Sequence, residues 1–197
     1  MDLQPCDHIY VDGRWQVPAN AAQPIPVFSP VSEETVGSIA AASAGDVDAA
    51  VASARKAFIH FSQTSPAQRA ALLRSILALM EERFEELALA ISHEMGSAIA
   101  FSRASQVPFG IAHVRAAIDV LNDYPFLRRQ GTTAIAKEAI GVCGLITPWN
   151  WPLYQITAKV APALAAGCTI VLKPSEFSPF SARIFAQIMH DAGTPPG

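Results

Sequence analysis

Residues 140–176, IGVCGLITPWNWPLYQITAKVAPALAAGCTIVLKPSE, narrow the folds open to this chain more than any other stretch. Two short apolar runs, 140–147 and 168–172, flank a segment with a different period. In that segment Leu153, Ile156, Val160, Ala163 and Leu164 recur at helical spacing. Pro148 stops the first run, Pro152 suits the first position of a helix, and Gly167 marks its exit. The order is strand, turn, helix, strand, and the apolar first run reads as a strand buried on both faces. Two parallel strands joined by a helix form a right-handed crossover. Residues 147–150 and 173–176 then lie just past the carboxyl ends of neighbouring strands, the edge at which open α/β sheets bind ligands.

Thr147-Pro148-Trp149-Asn150-Trp151-Pro152, then Lys159, then Ala161-Pro162-Ala163-Leu164, then Lys173-Pro174-Ser175-Glu176 occur in order in this stretch. With Ser65-Pro66 and Arg69, Glu94-x-Gly96, residues 46–51 and the opening around Asp12-Gly13-x-Trp15, they resemble the aldehyde dehydrogenase superfamily. The likeness covers essentially the whole chain, and only the amino-terminal portion of such an enzyme. It implies an α/β fold: the amino-terminal part of a three-layer Rossmann-type cofactor-binding domain, with a small β segment and a helical layer. Residues 1–120 would supply the β segment and helical layer, 121–139 an oligomerisation-type strand segment, and 140–197 the first βαβα unit. The catalytic domain would be absent.

The rest of the chain reads consistently with that frame. An Asp12-Gly13 hairpin, strands near 25–28 and 35–41, and a capping box at Ser43-x-x-Asp46 precede a first helix. Ser65-Pro66-Ala67-Gln68 is a second helix start. The stripe Leu73, Ile76, Met80, Phe84, Leu87 and Ile91 that follows is long for one helix, so a break is expected near 81–84. A helix over 97–122 disturbed at Pro108, a strand at 132–137, and a helix from Ser178-Pro179 to Gly193 complete the reading.

By the resemblance, Asn150 donates its side-chain amide to the oxyanion that develops in acyl chemistry. Its bland alternative is a residue that stabilises a Pro-Trp turn. Lys173 and Glu176 would hold the adenosine ribose of NAD, with NADP less favoured, because a carboxylate accepts from hydroxyls and repels a 2′-phosphate. A solvated surface pair is the competing reading. Ile146, Thr147, Pro148 and Trp149 would offer mainly backbone to the cofactor. Lys159 would help relay protons, against the alternative of a helix lysine with its head in solvent. No G-x-G-x-x-G is present, so the usual phosphate fingerprint gives no support.

Cys143 and Cys168 lie in apolar runs with no neighbouring base, a setting that leaves a thiol inert, and Cys6 falls in the chain's opening. None matches the family's nucleophile motif, and its general-base glutamate motif is absent as well. The implied activity, oxidation of an aldehyde to a carboxylate with NAD(P) reduction, therefore belongs to a longer parent, and this chain alone is expected to be inactive. A truncated protein that binds nucleotide or oligomerises without turnover is the alternative. Three cysteines without metal-ligand spacing fit reduced thiols in the cytoplasm, and no metal site is expected. The net charge of −3 gives no reason to expect nucleic acid or an anionic membrane as partner. The expected partners are the aldehyde and further copies of the chain.

Overall fold

The computed structural model describes residues 7–19 and 23–197; Cys6 lies outside them. Two antiparallel hairpins come first, β1 (Ile9–Val11) with β2 (Arg14–Gln16) and β3 (Ile25–Phe28) with β4 (Thr35–Ile39). The β1–β2 hairpin turns on Asp12 and Gly13, both at positive φ.

Helix α1 (Ala44–Phe61) begins at the expected capping box. The Ser43 hydroxyl accepts the Asp46 N–H, and the Asp46 carboxylate accepts the Ser43 N–H. Helix α2 (Pro66–Glu82) starts the same way from Ser65 and Gln68, with proline in its first turn. The apolar stripe breaks at Arg83, and α3 (Phe84–Met95) carries it on to Gly96, which ends the helix at positive φ. The next helical run is disturbed in the turn before Pro108, which has no N–H for the carbonyl four residues back and crowds it. A three-residue α4 (Ile99–Phe101) passes into a π-turn over Ser102–Gln106 before α5 (Val107–Asp123).

Strand β5 (Leu127–Gln130) pairs antiparallel with β6 (Thr133–Ala136), so the strand expected at 132–137 has a neighbour within the chain. Then come β7 (Val142–Ile146), α6 (Pro152–Ala165), β8 (Thr169–Lys173) and α7 (Pro179–Asp191). Strands β7 and β8 are parallel, in register from Val142 opposite Thr169 to Ile146 opposite Lys173.

The pleat sorts this pair into three layers. Leu145, Ile170 and Leu172 face the main core, formed by buried residues of α2, α3, α5, α6 and α7. Val142, Gly144 and Val171 face the other way, toward Val51, Arg55 and Phe58 of α1. The Thr169 hydroxyl donates to the Ala54 carbonyl and ties α1 to the sheet. One expectation is corrected here: β7 is not buried on both faces. Gly144 is exposed and Ile146 is 75% exposed, because α1 covers only part of the outer face.

The most extensive helix contact is between α5 and α6. A Cβ on Gly110 would stand 2.7 Å from Leu153 Cγ, so only glycine lets the two axes approach this far.

Candidate functional site

The parallel register sets the site. Beyond the Ile146–Lys173 pair the Thr147 N–H donates to the Lys173 carbonyl at 3.2 Å, so 147–150 and 173–176 leave the sheet at one edge. Thr147 is buried, whereas Pro148, Trp149 and Asn150 are exposed. The chain then enters α6 through Pro152, and the Gln155 N–H donates to the Trp151 carbonyl at 2.8 Å.

On the second strand the Lys173 ammonium donates to the Glu176 carboxylate at 2.9 Å, and both side chains are about half exposed. The hydrogen bond from Lys173 holds the Glu176 carboxyl below its ordinary pKa, with a backbone N–H and the lysine's charge adding to it. Ser175 is buried, and its hydroxyl accepts the Phe177 N–H. An anionic carboxylate beside an ammonium at the mouth of a sheet can accept from two sugar hydroxyls while the lysine donates to one. Lys159 donates within its own helix, to Gln155 Oε1 at 3.0 Å and to the Gln155 carbonyl at 3.4 Å.

Next to Asn150 in the chain, Trp151 belongs to a group of aromatic rings. Trp151 meets Phe101 and Phe109 edge-on, at centroid distances of 5.5 and 5.7 Å, and Tyr154 packs against His113 at 4.5 Å. Phe101 and Phe109 are about half exposed, so the cluster shows an apolar face to solvent.

The thiols differ from this polar edge. Burial pushes the Cys143 thiol pKa up, and the neighbouring Cys168 thiol adds to the rise. Cys168 is buried. A raised thiol is a weak nucleophile at neutral pH. Among the described residues no group of three or more His, Cys, Asp or Glu could hold a metal ion. No described helix is long and apolar enough to cross a membrane. A cavity of about 360 Å³ between α1 and β7, lined by Arg55, Phe58 and Val142 among others, includes none of the residues of the polar edge.

The sequence model of the aldehyde dehydrogenase family matches residues 15–197. The chain belongs to the aldehyde dehydrogenase family. A 3-succinoylsemialdehyde-pyridine dehydrogenase from a Pseudomonas species is 48% identical over 189 residues, which is 95% of this chain and 39% of that protein. A mutant of aldehyde dehydrogenase C from Pseudomonas syringae, solved with NAD+ and octanal, superposes with a TM-score of 0.95 at 58% identity. That likeness covers 97% of this chain and 39% of that one. An aldehyde dehydrogenase from Mycobacterium tuberculosis solved with NAD+ gives 0.92 at 31% identity, over 98% of this chain and 41% of its own. The chain thus spans about two-fifths of the length of the relatives it matches, and it is the amino-terminal α/β portion of an aldehyde dehydrogenase.

Within this aldehyde dehydrogenase chain, Ile146, Thr147, Pro148, Trp149, Asn150, Lys173 and Glu176 come to one sheet edge through the β7–β8 register, while Lys159 lies further along α6. Sequence reasoning missed the rings of Phe101 and Phe109, which reach Trp151 from α4 and α5. It also assigned no role to Gln106, which is buried beneath the Asn150 turn. A fully buried glutamine in an otherwise apolar stripe was the signal available, and it becomes readable only once the stripe's partner is known.

Proposed function

We propose that this chain carries the cofactor and oxyanion residues of an NAD-dependent aldehyde dehydrogenase that oxidises an aldehyde to a carboxylic acid. The observation that carries the reading is the parallel pairing of Ile146 with Lys173. It brings an exposed asparagine and a Lys–Glu pair to one edge of an α/β sheet. Asn150 donates its side-chain amide to the oxyanion formed when a cysteine thiolate of the parent enzyme adds to the aldehyde. The exposed Lys173–Glu176 pair fits the ribose of NAD, and the backbone of Ile146 to Trp149 borders it. NAD held there would supply the hydride acceptor. Lys159 serves as a proton relay. The nucleophilic cysteine and the general-base glutamate come from a segment this chain does not include. Consistent with that, burial disfavours the thiolate of Cys143, and Cys168 is buried.

The complex of the Pseudomonas syringae relative with NAD+ and octanal supports NAD as cofactor, the carboxylate of Glu176 disfavours a 2′-phosphate, and the aromatic face of Phe101, Phe109 and Trp151 favours apolar aldehydes. We further propose a cytoplasmic homo-oligomer in which the exposed β5–β6 hairpin, whose strands lack a third neighbour among the described residues, extends a sheet.

A chimera tests the reading. This chain replaces the matching portion of the Pseudomonas syringae enzyme, with that enzyme's nucleophile intact, and NADH formation from octanal is followed at 340 nm. The chimera should turn over, the 197-residue chain alone should not, and Asn150→Ala in the chimera should lower kcat by about 10²–10³-fold. A folded chimera in which Asn150→Ala keeps full activity sinks the proposal.

A further inference from the structure

We infer that Gln106 is a positioning residue for Asn150, holding the carbonyl of that residue from behind so that its side chain is aimed out of the sheet edge. The inference rests on the reading of Asn150 as the oxyanion donor. The contact is non-local: Gln106 Nε2 donates to the Asn150 main-chain oxygen at 3.4 Å across 44 residues of sequence. The same nitrogen lies 3.8 Å from Met95 Sδ.

The reach follows from the helix pairing. Gln106 stands one turn before Gly110 on the buried line Gln106, Gly110, Val114, as Asn150 stands just before Leu153. Leu153 sits against Gly110, so the absence of a Cβ there draws α6 onto α5. That closeness brings the start of α6 within reach of the glutamine side chain. The π-turn over Ser102–Gln106 ends at this residue. Single π-turns inside α-helices are rare, weaken the local ladder and occur often at functional sites.

The site also carries a cost that packing alone does not explain. Gln106 is 1% exposed, and its Oε1 has no hydrogen-bond partner among the described residues; nor has the Ser102 hydroxyl on the same turn. A methionine or leucine would fill that place without an orphaned oxygen. What only the glutamine supplies is an N–H for the Asn150 carbonyl. Without it the turn residue loses the tether that opposes rotation about its own backbone. A small rotation there swings a side-chain amide that must meet a developing oxyanion within a few tenths of an ångström.

The experiment uses the full 197-residue chain and a label unique to it. Asn150-Trp151 is the only Asn-Trp pair in the sequence, so protein made with carbonyl-¹³C asparagine and ¹⁵N tryptophan gives one HNCO peak, from the Asn150 carbonyl. Gln106→Met keeps the volume and removes the donor, and Gln106→Glu puts an oxygen in its place. Both should move the Asn150 carbonyl resonance upfield while the unfolding temperature of the methionine variant stays close to that of the unmodified chain. A resonance unchanged in both variants overturns the proposal, because a merely space-filling glutamine predicts that result. Should neither variant fold, the unmodified chain decides. A nuclear Overhauser effect between a glutamine carboxamide and the Trp151 α proton, which lies beside the Asn150 oxygen in a trans peptide, is expected, and its absence refutes the contact. An active Asn150→Ala chimera would remove the oxyanion role but leave the carbonyl shift standing, so the two failures are distinguishable.

Discussion

Glu94 offers the sharpest test of the energetics. It is 2% exposed, and its carboxylate accepts the Phe180 N–H at 2.6 Å, the Ser181 N–H at 3.3 Å and the Ser181 hydroxyl. It thereby caps the first turn of α7 from the end of α3. Burial pushes its pKa from the ordinary 4.5 up to about 7, against the opposing pull of those three donors. A carboxyl whose folded pKa is raised contributes stability that is fully present below the unfolded value and lost as pH rises through the folded one. Applying 1.36 kcal/mol per unit to that shift, the chain should lose about 2 kcal/mol between pH 5.5 and pH 8 on account of this group. Its near-complete burial means that solvent screening does not discount the figure. Glu94→Gln has no such proton to lose. Urea and thermal unfolding of both proteins at the two pH values, followed by far-UV circular dichroism, cancel every other titrating group in the difference. The variant should lack the loss, and the unmodified chain should melt about 4–8 °C lower at pH 8 than the variant's own pH trend predicts. A difference between the two proteins that is independent of pH would refute the desolvation argument. A difference of opposite sign would mean that the α7 N-terminus stabilises the anion more than burial opposes it.

Two other outcomes follow from the geometry. In the chimera, Glu176→Gln should narrow the ratio of kcat/KM between NAD and NADP, because a neutral amide no longer repels a 2′-phosphate; an unchanged ratio removes Glu176 from cofactor choice. Gly110→Ala should destabilise the chain by about 1–3 kcal/mol in urea unfolding, since a Cβ placed 2.7 Å from Leu153 Cγ forces α5 and α6 apart.

What the sequence made legible was chiefly local or set by handedness. Ser43 and Ser65 cap their helices with side chains three residues on, so each motif is complete within one turn. The convergence of 147–150 and 173–176 needed only the rule that parallel strands are joined by a right-handed crossover. The break at Arg83 was legible because one stripe ran too long for a single helix. Strand β5, reading LRRQ, is exposed throughout and carries no apolar alternation, so only its pairing with β6 reveals it. The apolar run that forms β7 promised two covered faces, but composition does not say how much of the outer face α1 will reach. Gln106 was illegible for a related reason. Its place beneath Asn150 depends on the approach of α5 to α6, and that approach rests on the missing Cβ of a glycine one turn away.

Two of the buried ionisable groups, Arg69 and Glu94, pack against the elements on either side in sequence of the Lys173–Glu176 pair. Arg69, at the start of α2, is 5% exposed, and burial lowers its pKa. Its guanidinium donates to the Thr64 carbonyl at 2.8 Å and lies over the Phe126 ring at 5.0 Å. A Cβ on Gly167, which sits at positive φ where α6 gives way to β8, would come within 2.8 Å of Arg69 Nη1. The guanidinium therefore packs beneath the corner that starts β8, while Glu94 grips the first turn of α7 just beyond its end. Lys173 and Glu176 lie between those two points of attachment. A buried charge without a partner of opposite sign is costly, and a layer held together by apolar contact alone would have no need of either group. An apolar face tolerates sliding and repacking, whereas a guanidinium against one carbonyl and a carboxylate on two successive N–H groups each admit essentially one arrangement. Arg69 thus packs the start of α2 against the corner before β8, and Glu94 bonds the end of α3 to the first turn of α7, on either side in sequence of the Lys173–Glu176 pair.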